Sequence, residues 1–550
     1  MLNTEMAVGT TPISTQILVV GGGPSGSYAA AALAREGFQV TLLEATKFPR
    51  YHIGESLLPS VRPLLKFIDA EESVINYGFT IKPGAAVKLN QYKREGYTDF
   101  VTPDLNNPSW NVVRSEFDDL LLRHALKCGT TVIEDTKVTD LQFDGEDSSA
   151  RPVSATWKNT STGMQGHISF DYLVDASGRN GIMSTKYLKN RRFNKALNNI
   201  ACWGYWEGTD FYSPGTSREN APWFEALDDE SGWAWFIPLH NGSTSVGVVM
   251  DKDISIRKKK ATVATGGSGT NLQTHYMEEL TRAPGVLKLI GIGTLRNDGQ
   301  LDAVKSASDF SYSASTYAGD HFRLAGDAGD PFFSSGVHLA FTGALSAAIT
   351  IAASIRGFCS EADAQRWHSA KIGTSYTRHS TSVIPLQTVA DKEMPIMSDV
   401  DEDNFDRAFE LIRPVIQGTA DVGKKLTEDE LQKTMDFCSH IVGSTDPEMV
   451  AAVKARQAFF ICLNELSHVI LNFDRLDPVL TSPSGPVMVE SDLDRLFGDD
   501  DDEAKAVLGK ISIGKHLHKL HNNPTYNFGV KEHFGFKAVL ERGKLGLVNV

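Results

Sequence analysis

The stretch Gln16-Ile17-Leu18-Val19-Val20-Gly21-Gly22-Gly23-Pro24-Ser25-Gly26, continued by Ser27–Glu36 and the apolar run Phe38–Leu43 ending on Glu44, decides the fold. It reads as strand, glycine turn, helix and strand, a βαβ unit. Gly21 permits a tight turn, Gly23 lets the backbone approach a pyrophosphate, and Gly26 lets the helix lie close to the sheet; Ser25 sits at the helix start, where free amides face an anion. Glu44 stands where a carboxylate accepts ribose hydroxyls. The plainer reading is a glycine turn with no nucleotide. The Ala29–Ala32 helix, the Gly37 stop and the spaced acid speak against it.

Outward from this unit, the 550 residues are long enough for two or three packed cores and a buried cofactor. The formal charge of −14 argues against a nucleic-acid partner. The only basic run, Arg257–Lys260, reads as a solvated loop. Five cysteines (Cys128, Cys202, Cys359, Cys438, Cys462) show no CxxC and no histidine clustering, so neither a disulfide framework nor a metal site is expected. The first fifteen residues lack a basic start and an apolar core, and the longest apolar stretch, Gly343–Ile355, is too short to span a bilayer. The expectation is a soluble, cytoplasmic protein with no membrane span.

Beyond Glu44, Arg50 precedes a Gly54-Glu55-Ser56 turn with Pro59, and His52 reads as a hydrogen-bonded loop residue. Phe79–Leu89 is strand-like, with Lys82 and Lys88 among apolar residues. Taken alone, such lysines are either amphipathic stems with wet heads or buried amines with a chemical task. Arg114 opens a helix over Ser115–Lys127; it is either a pyrophosphate contact or a surface partner of Glu116 or Asp118. Tyr172–Arg179 reads as a buried strand ending at the nucleotide, and Phe322–Pro331 supplies a second, whose Asp327 either meets ribityl hydroxyls or caps a helix. Together with the N-terminal loop these are the three elements of a glutathione-reductase-type FAD-binding domain, flavin monooxygenase-like, in an α/β chain. No second GxGxxG follows a strand, so reduced flavin is expected from another protein.

Five of the eight tryptophans (Trp203, Trp206, Trp223, Trp233, Trp235) crowd an interleaved antiparallel sheet over about residues 200–310. Alternation puts Trp233, Trp235 and Ile237 on one face and Ala234 and Phe236 on the other. The domain reading is a flexible segment 1–15, an FAD-binding core 16–359, and a mainly helical capping region 360–550. In the last part Thr427–Glu430 reads as a capping box, Asp446-Pro447 opens a helix to about Phe473, Asp499–Glu503 reads as a solvated loop, and Gly535–Val550 shows no recognisable chemistry.

Gly21–Gly26, Gly54-Glu55-Ser56 with Pro59, Gly326-Asp327 and above all Trp233-x-Trp235-x-Ile237-Pro238 resemble the flavin-dependent halogenases. The fungal enzymes acting on free phenolic, polyketide-type aromatics look most similar. The resemblance is strong over Ile17–Ile355 and loose beyond. It implies FAD used as FADH2, chloride or bromide as co-substrate, a separate NAD(P)H-dependent flavin reductase and a small aromatic substrate. Trp233, Trp235 and Pro238 would wall the substrate off from the flavin, and Ser335 and Gly336 would hold the halide through backbone amides. Lys82 would receive hypohalous acid, with Lys88 as the alternative in register. Tryptophan halogenases carry a Glu where Phe333 stands, which disfavours tryptophan as substrate. An aromatic hydroxylase on the same fold, and a non-catalytic relative of it such as a prenyl-GTPase escort protein, are the competing readings.

Overall fold

The computed structural model describes residues 11–373 apart from short stretches (among them 102–107, 194–198, 265–270 and 332–335), a few residues between 452 and 508, and the segment 532–550. Its first sheet is built on five parallel strands, in the spatial order Phe322–Leu324, Gln165–Asp175, Ser14–Val20, Val40–Leu43 and Thr131–Ile133. Val40–Leu43 is buried along its whole length, as expected of a strand covered on both faces. The register sets Val20 beside both Leu43 and Asp175, and Asp175 beside Leu324. Four strands therefore end on one line, and Gly21, Glu44, Ala176 and Gly326-Asp327 emerge along a single edge. That edge is the carboxyl-end crevice in which parallel α/β sheets bind ligands.

The helix after the glycine loop spans Pro24–Arg35, opening on proline three residues before the expected start, where a missing N–H costs nothing. Its buried Ala29–Ala32 face packs against helices Arg114–Lys127 and Gly336–Ile355, and Tyr28 stacks on Phe341 at 4.9 Å. The Gly336–Ile355 helix corrects the reading of Gly343–Ile355 as too short. It has 20 residues and is long and apolar enough to cross a membrane, but 94% of its most apolar window is buried inside the protein. Its apolarity is accounted for by a place in the core.

The second sheet runs Thr294–Leu295, Asn199–Glu207, Ser243–Asp251, Gly232–Pro238, Trp223–Ala226, Gly84–Lys88 and Gly96–Asp99, with Val304–Ser308 also on Asn199–Glu207. All five crowded tryptophans lie on its strands. Ala234 and Phe236 face a core closed by Tyr276, Leu280, Val286 and Ile290, while Trp235 and Ile237 face the opposite way with Trp203, as the alternation requires. The sheet also takes two strands from before residue 100, outside the 200–310 span expected for it. The single strand read over Phe79–Leu89 is broken at Pro83. Thr80–Lys82 pairs with Ser109–Asn111, and Gly84–Lys88 crosses into the large sheet.

The basic run Arg257–Lys260 is not a loop but part of helix Lys252–Ala264, where Lys258 pairs with Asp229 and Glu279, each at 2.6 Å. Within the region expected to be mainly helical, Glu532–His533, Phe536–Val539 and Gly546–Asn549 form a three-stranded sheet whose Ala538, Leu545 and Leu547 join the core of the first domain. Arg356 ties this sheet to the apolar helix by donating to the Leu545 carbonyl at 2.6 Å. The capping box at Thr427, the helix to Phe473 and most of Asp499–Glu503 lie outside the described residues. The closeness of helix to strand makes one position intolerant. A Cβ on Gly26 would stand 1.8 Å from the Gly21 carbonyl oxygen. Gly26→Ala is expected to lower unfolding free energy by about 3 kcal/mol or more, read from the midpoint of urea denaturation.

Candidate active site

At the crevice, Gly21 has φ +103° and a Cβ there would lie 2.3 Å from the Ala176 carbonyl, so the turn requires glycine. The helix N-terminus beyond it carries no side-chain cap, and the buried Ser25 hydroxyl has no hydrogen-bond partner among the described residues. Gly326, at φ +64°, lies against Ser25, which joins the first and third sequence elements in space. Unmet donors at a helix start, a bare Gly23 surface and an orphaned hydroxyl are what a pyrophosphate satisfies, so these residues fit FAD.

The charges around the crevice are organised by a buried carboxylate. Asp118 accepts from Arg114 Nε at 2.9 Å and Nη2 at 3.1 Å, and from Arg50 at 3.3 Å. Arg114 therefore pairs with Asp118 but is not a surface residue. Burial works against its charge and Asp118 outweighs that, holding the guanidinium above its usual pKa. Arg50 reaches Gly23, where a Cβ would lie 3.3 Å from Nη2. Glu44 is already engaged, accepting from Gly22 N–H at 2.6 Å and from the Thr46 amide and hydroxyl at 3.0 and 2.7 Å. A carboxylate has about four lone-pair sites, so capacity for a ribose hydroxyl is left. Asp327 is half-buried on the turn after Phe322–Leu324 and is not the cap of that turn. Burial raises its pKa against the opposing charges of Arg114, Arg179 and Arg191.

Lys82 departs from the wet-stem reading. Its side chain is 2% exposed, Nζ donates to the Leu57 carbonyl at 2.8 Å, and the ammonium position is 5.1 Å from the Phe100 ring centroid. No carboxylate pairs with it among the described residues, and burial alone pushes its pKa down to about 7. Lys88 is half-exposed at the end of Gly84–Lys88, in register with Glu225, on the other side of the Pro83 break. Leu57 in turn donates from its own amide to Trp110, and Val112 donates to the Glu55 carbonyl at 2.7 Å. The Gly-Glu-Ser turn is thus docked on the strand leading into Arg114. Arg114 closes it by donating to Ile53 and Gly54 carbonyls at 2.8 and 3.3 Å. His52 bonds the Ile53 carbonyl and is pushed down to about 4, first by the Arg114 charge and then by burial.

Facing this turn is the apolar face carrying Trp203, Trp235, Ile237 and Leu239, against which Ile53, Val113 and Trp233 pack. Trp233 and Trp235 have ring centroids 6.0 Å apart, and Pro238 ends the strand, buried. Gly247 lies directly behind Trp235, where a Cβ would meet the indole at 2.3 Å. Of the halide pair, Ser335 lies outside the described residues, as does Phe333; Gly336 is the first residue of the apolar helix. Sequence reading named Asp118 only as a surface partner of Arg114 and left Tyr51, Tyr205 and Ser245 without a role. Only Asp118 carried a signal, its four-residue spacing from Arg114 on one helix.

Fold and crevice together define an FAD-binding oxidoreductase core with an aromatic sheet laid over the flavin side. The family model described as tryptophan halogenase matches residues 16–102 and 101–278. The flavin-dependent halogenase armH1 of Armillaria mellea is 54% identical over 544 residues, covering 98% of this chain and 99% of that protein. The sulochrin halogenase gedL of Aspergillus terreus is 48% identical, covering 82% and 83%. Among solved structures, the myxobacterial chondrochloren halogenase CndH is similar with TM-score 0.60 and 26% identity, covering 79% of this chain and 98% of that one. CmlS, a flavin-dependent halogenase, gives TM-score 0.60 and 27% identity, covering 78% of each. The chain belongs to the flavin-dependent halogenases. It is an enzyme of FAD and halide, and the hydroxylase and escort-protein readings fall with that finding. Arg50→Ala removes a half-buried cation beside Gly23 while Arg114 stays on Asp118. It is expected to raise the FAD dissociation constant about tenfold, by flavin fluorescence titration, and to shift the apoprotein's thermal midpoint by under about 3 °C.

Proposed function

We propose that this protein halogenates an electron-rich phenolic aromatic of the polyketide secondary-metabolite type, using hypohalous acid received at Lys82. The observation that carries the reading is the environment of that amine, sealed, without a carboxylate, and pushed to about 7 by burial. Gly21, Gly23, Ser25, Gly26, Glu44, Arg50, Arg114 and Asp327 would hold FAD, which, once reduced by a separate NAD(P)H-dependent reductase, would supply the oxidation of halide by O2. The chain's own residues do the rest. Amides at Ser335 and Gly336, the latter opening a long helix, hold chloride or bromide. Trp233, Trp235 and Pro238 keep the aromatic ring from the flavin side, so that only a small neutral oxidant passes.

At Lys82 the half-neutral amine has two uses near pH 7. As ammonium it donates to the hypohalous oxygen and makes the halogen more electrophilic. As free amine it takes the halogen, and water leaves. In either case the ring carbon ortho or para to the phenol bonds to halogen, the oxygen–halogen or nitrogen–halogen bond breaks, and the ring proton is lost. The names of the relatives support the class, sulochrin being the substrate named for one of them.

The test is mass spectrometry of products from a resorcinol-type panel with protein, FAD, a flavin reductase, NADH and either halide. The expected product carries the isotope pattern of the halide supplied, and one gaining oxygen whichever halide is present would overturn the reading. Lys82→Ala is expected to keep flavin binding and oxygen consumption and to lose product by about a hundredfold or more. Full activity in that variant would move the role to Lys88 or remove it.

A further inference from the structure

The Glu55 side chain is 3% exposed and lies between the flavin-side turn and the aromatic wall. Two hydrogen-bond chains converge on it. In one, the Trp203 indole N–H donates to Tyr51 at 2.7 Å, the Tyr51 and Tyr205 hydroxyls are 3.0 Å apart, and Tyr205 donates to Glu55 Oε1 at 2.6 Å. In the other, the Trp235 indole N–H donates to Ser245 Oγ at 3.1 Å, and the Ser245 side chain neighbours the Glu55 carboxyl and favours its charged form. The Tyr205 proton goes to Glu55, so Tyr51 donates to Tyr205 while accepting from the Trp203 indole, and the first chain runs from the tryptophan inward. Glu55 Oε1 is the acceptor at the inner end of the first chain.

We infer that Glu55 is a positioning residue for halogenation: its carboxyl ends the Trp203–Tyr51–Tyr205 donor chain and neighbours the Ser245 hydroxyl that receives Trp235, and so fixes the Trp203–Trp235 wall against the turn that holds the Lys82 amine. The inference rests on reading that wall as the partition between flavin and substrate. The geometry joins the two, because Glu55 accepts from Val112 through its backbone two residues before Leu57, whose carbonyl holds Lys82. Other charges near the chains are Arg114, bonded to the Gly54 carbonyl, and Lys305, above the Tyr51 ring at 5.3 Å and the Tyr205 ring at 6.0 Å. Burial opposes the carboxylate, pushing its pKa up to about 7, and Tyr205 and Ser245 are the groups that hold it down.

The experiment uses protein labelled with 5-fluorotryptophan, with the Trp203 and Trp235 resonances assigned by Trp→Phe variants, and a parallel assay of halogenated product per O2 consumed. Glu55→Ala is expected to shift both resonances, in apoprotein and FAD-loaded protein alike, and to lower product per O2 about tenfold while O2 consumption changes by less than about threefold. Glu55→Gln offers one acceptor and one donor, so it is expected to move one resonance and leave the other. Should Glu55→Ala fail to fold, Tyr205→Phe is expected to move Trp203 alone and Ser245→Ala to move Trp235 alone. Unmoved resonances, or full coupling in Glu55→Ala, would overturn the inference. A wild-type protein that makes no halogenated product would instead sink the proposed reaction, with the wall's anchorage still judged by the resonances.

Discussion

The backbone pairing of Glu55 and Leu57 with Val112 and Trp110 is the constraint on which the rest of the site depends. Through it a loop that owes little to regular secondary structure is held as an edge strand. Three charged groups meet that segment from different sides. Arg114 closes its Ile53 and Gly54 carbonyls, Glu55 reaches the tryptophan wall, and the Leu57 carbonyl takes the Lys82 amine. Gly54 is suited to the junction, with φ +104° and a Cβ position 2.9 Å from Arg114 Nη1. One short segment therefore sets the spacing of cofactor, wall and lysine at once.

Three buried charges meet there, and each is handled differently. Arg114 is neutralised by a bidentate carboxylate, an arrangement in which removing one partner costs more than the pair gains. Glu55 is kept by converging hydroxyl donors. Lys82 meets a carbonyl and the Phe100 ring but, among the described residues, no carboxylate, so its proton is lost more easily. The contrast separates two structural ions from one reactive amine. On the proposed function, such an arrangement would set strong cations beside the cofactor's phosphates and keep anions away from the amine that receives the halogen.

Much of this was legible in the sequence because the signals were local. Gly21, Gly26 and the Asp175 and Asp327 turns follow from strand-ending patterns, and the two-faced Gly232–Pro238 strand from simple alternation. Lys82 was legible only through resemblance, since its run alone reads as a wet stem; Pro83 hid the break that sends Lys82 inward and Lys88 to another sheet. The Asp118 bridge, the Glu55 chains and the strands over 532–549 were not legible, because they depend on residues from about 70 to more than 500 positions apart meeting in space. Helical spacing suggests Arg114 with Asp118, but no pattern suggests that Arg50 joins them.

The most direct measurement is the titration of Lys82 itself, by NMR of 13C-dimethylated lysines with the resonance assigned through Lys82→Met. The account predicts a midpoint near 7, several units below an ordinary lysine. Because the folded pKa lies below the unfolded value, wild-type stability should rise with pH from about 7 to about 10.5, and that rise should vanish in the methionine variant. A midpoint near 10, with no such rise, would mean that the amine reaches water and is an ordinary lysine, contradicting the account of how halogen is delivered.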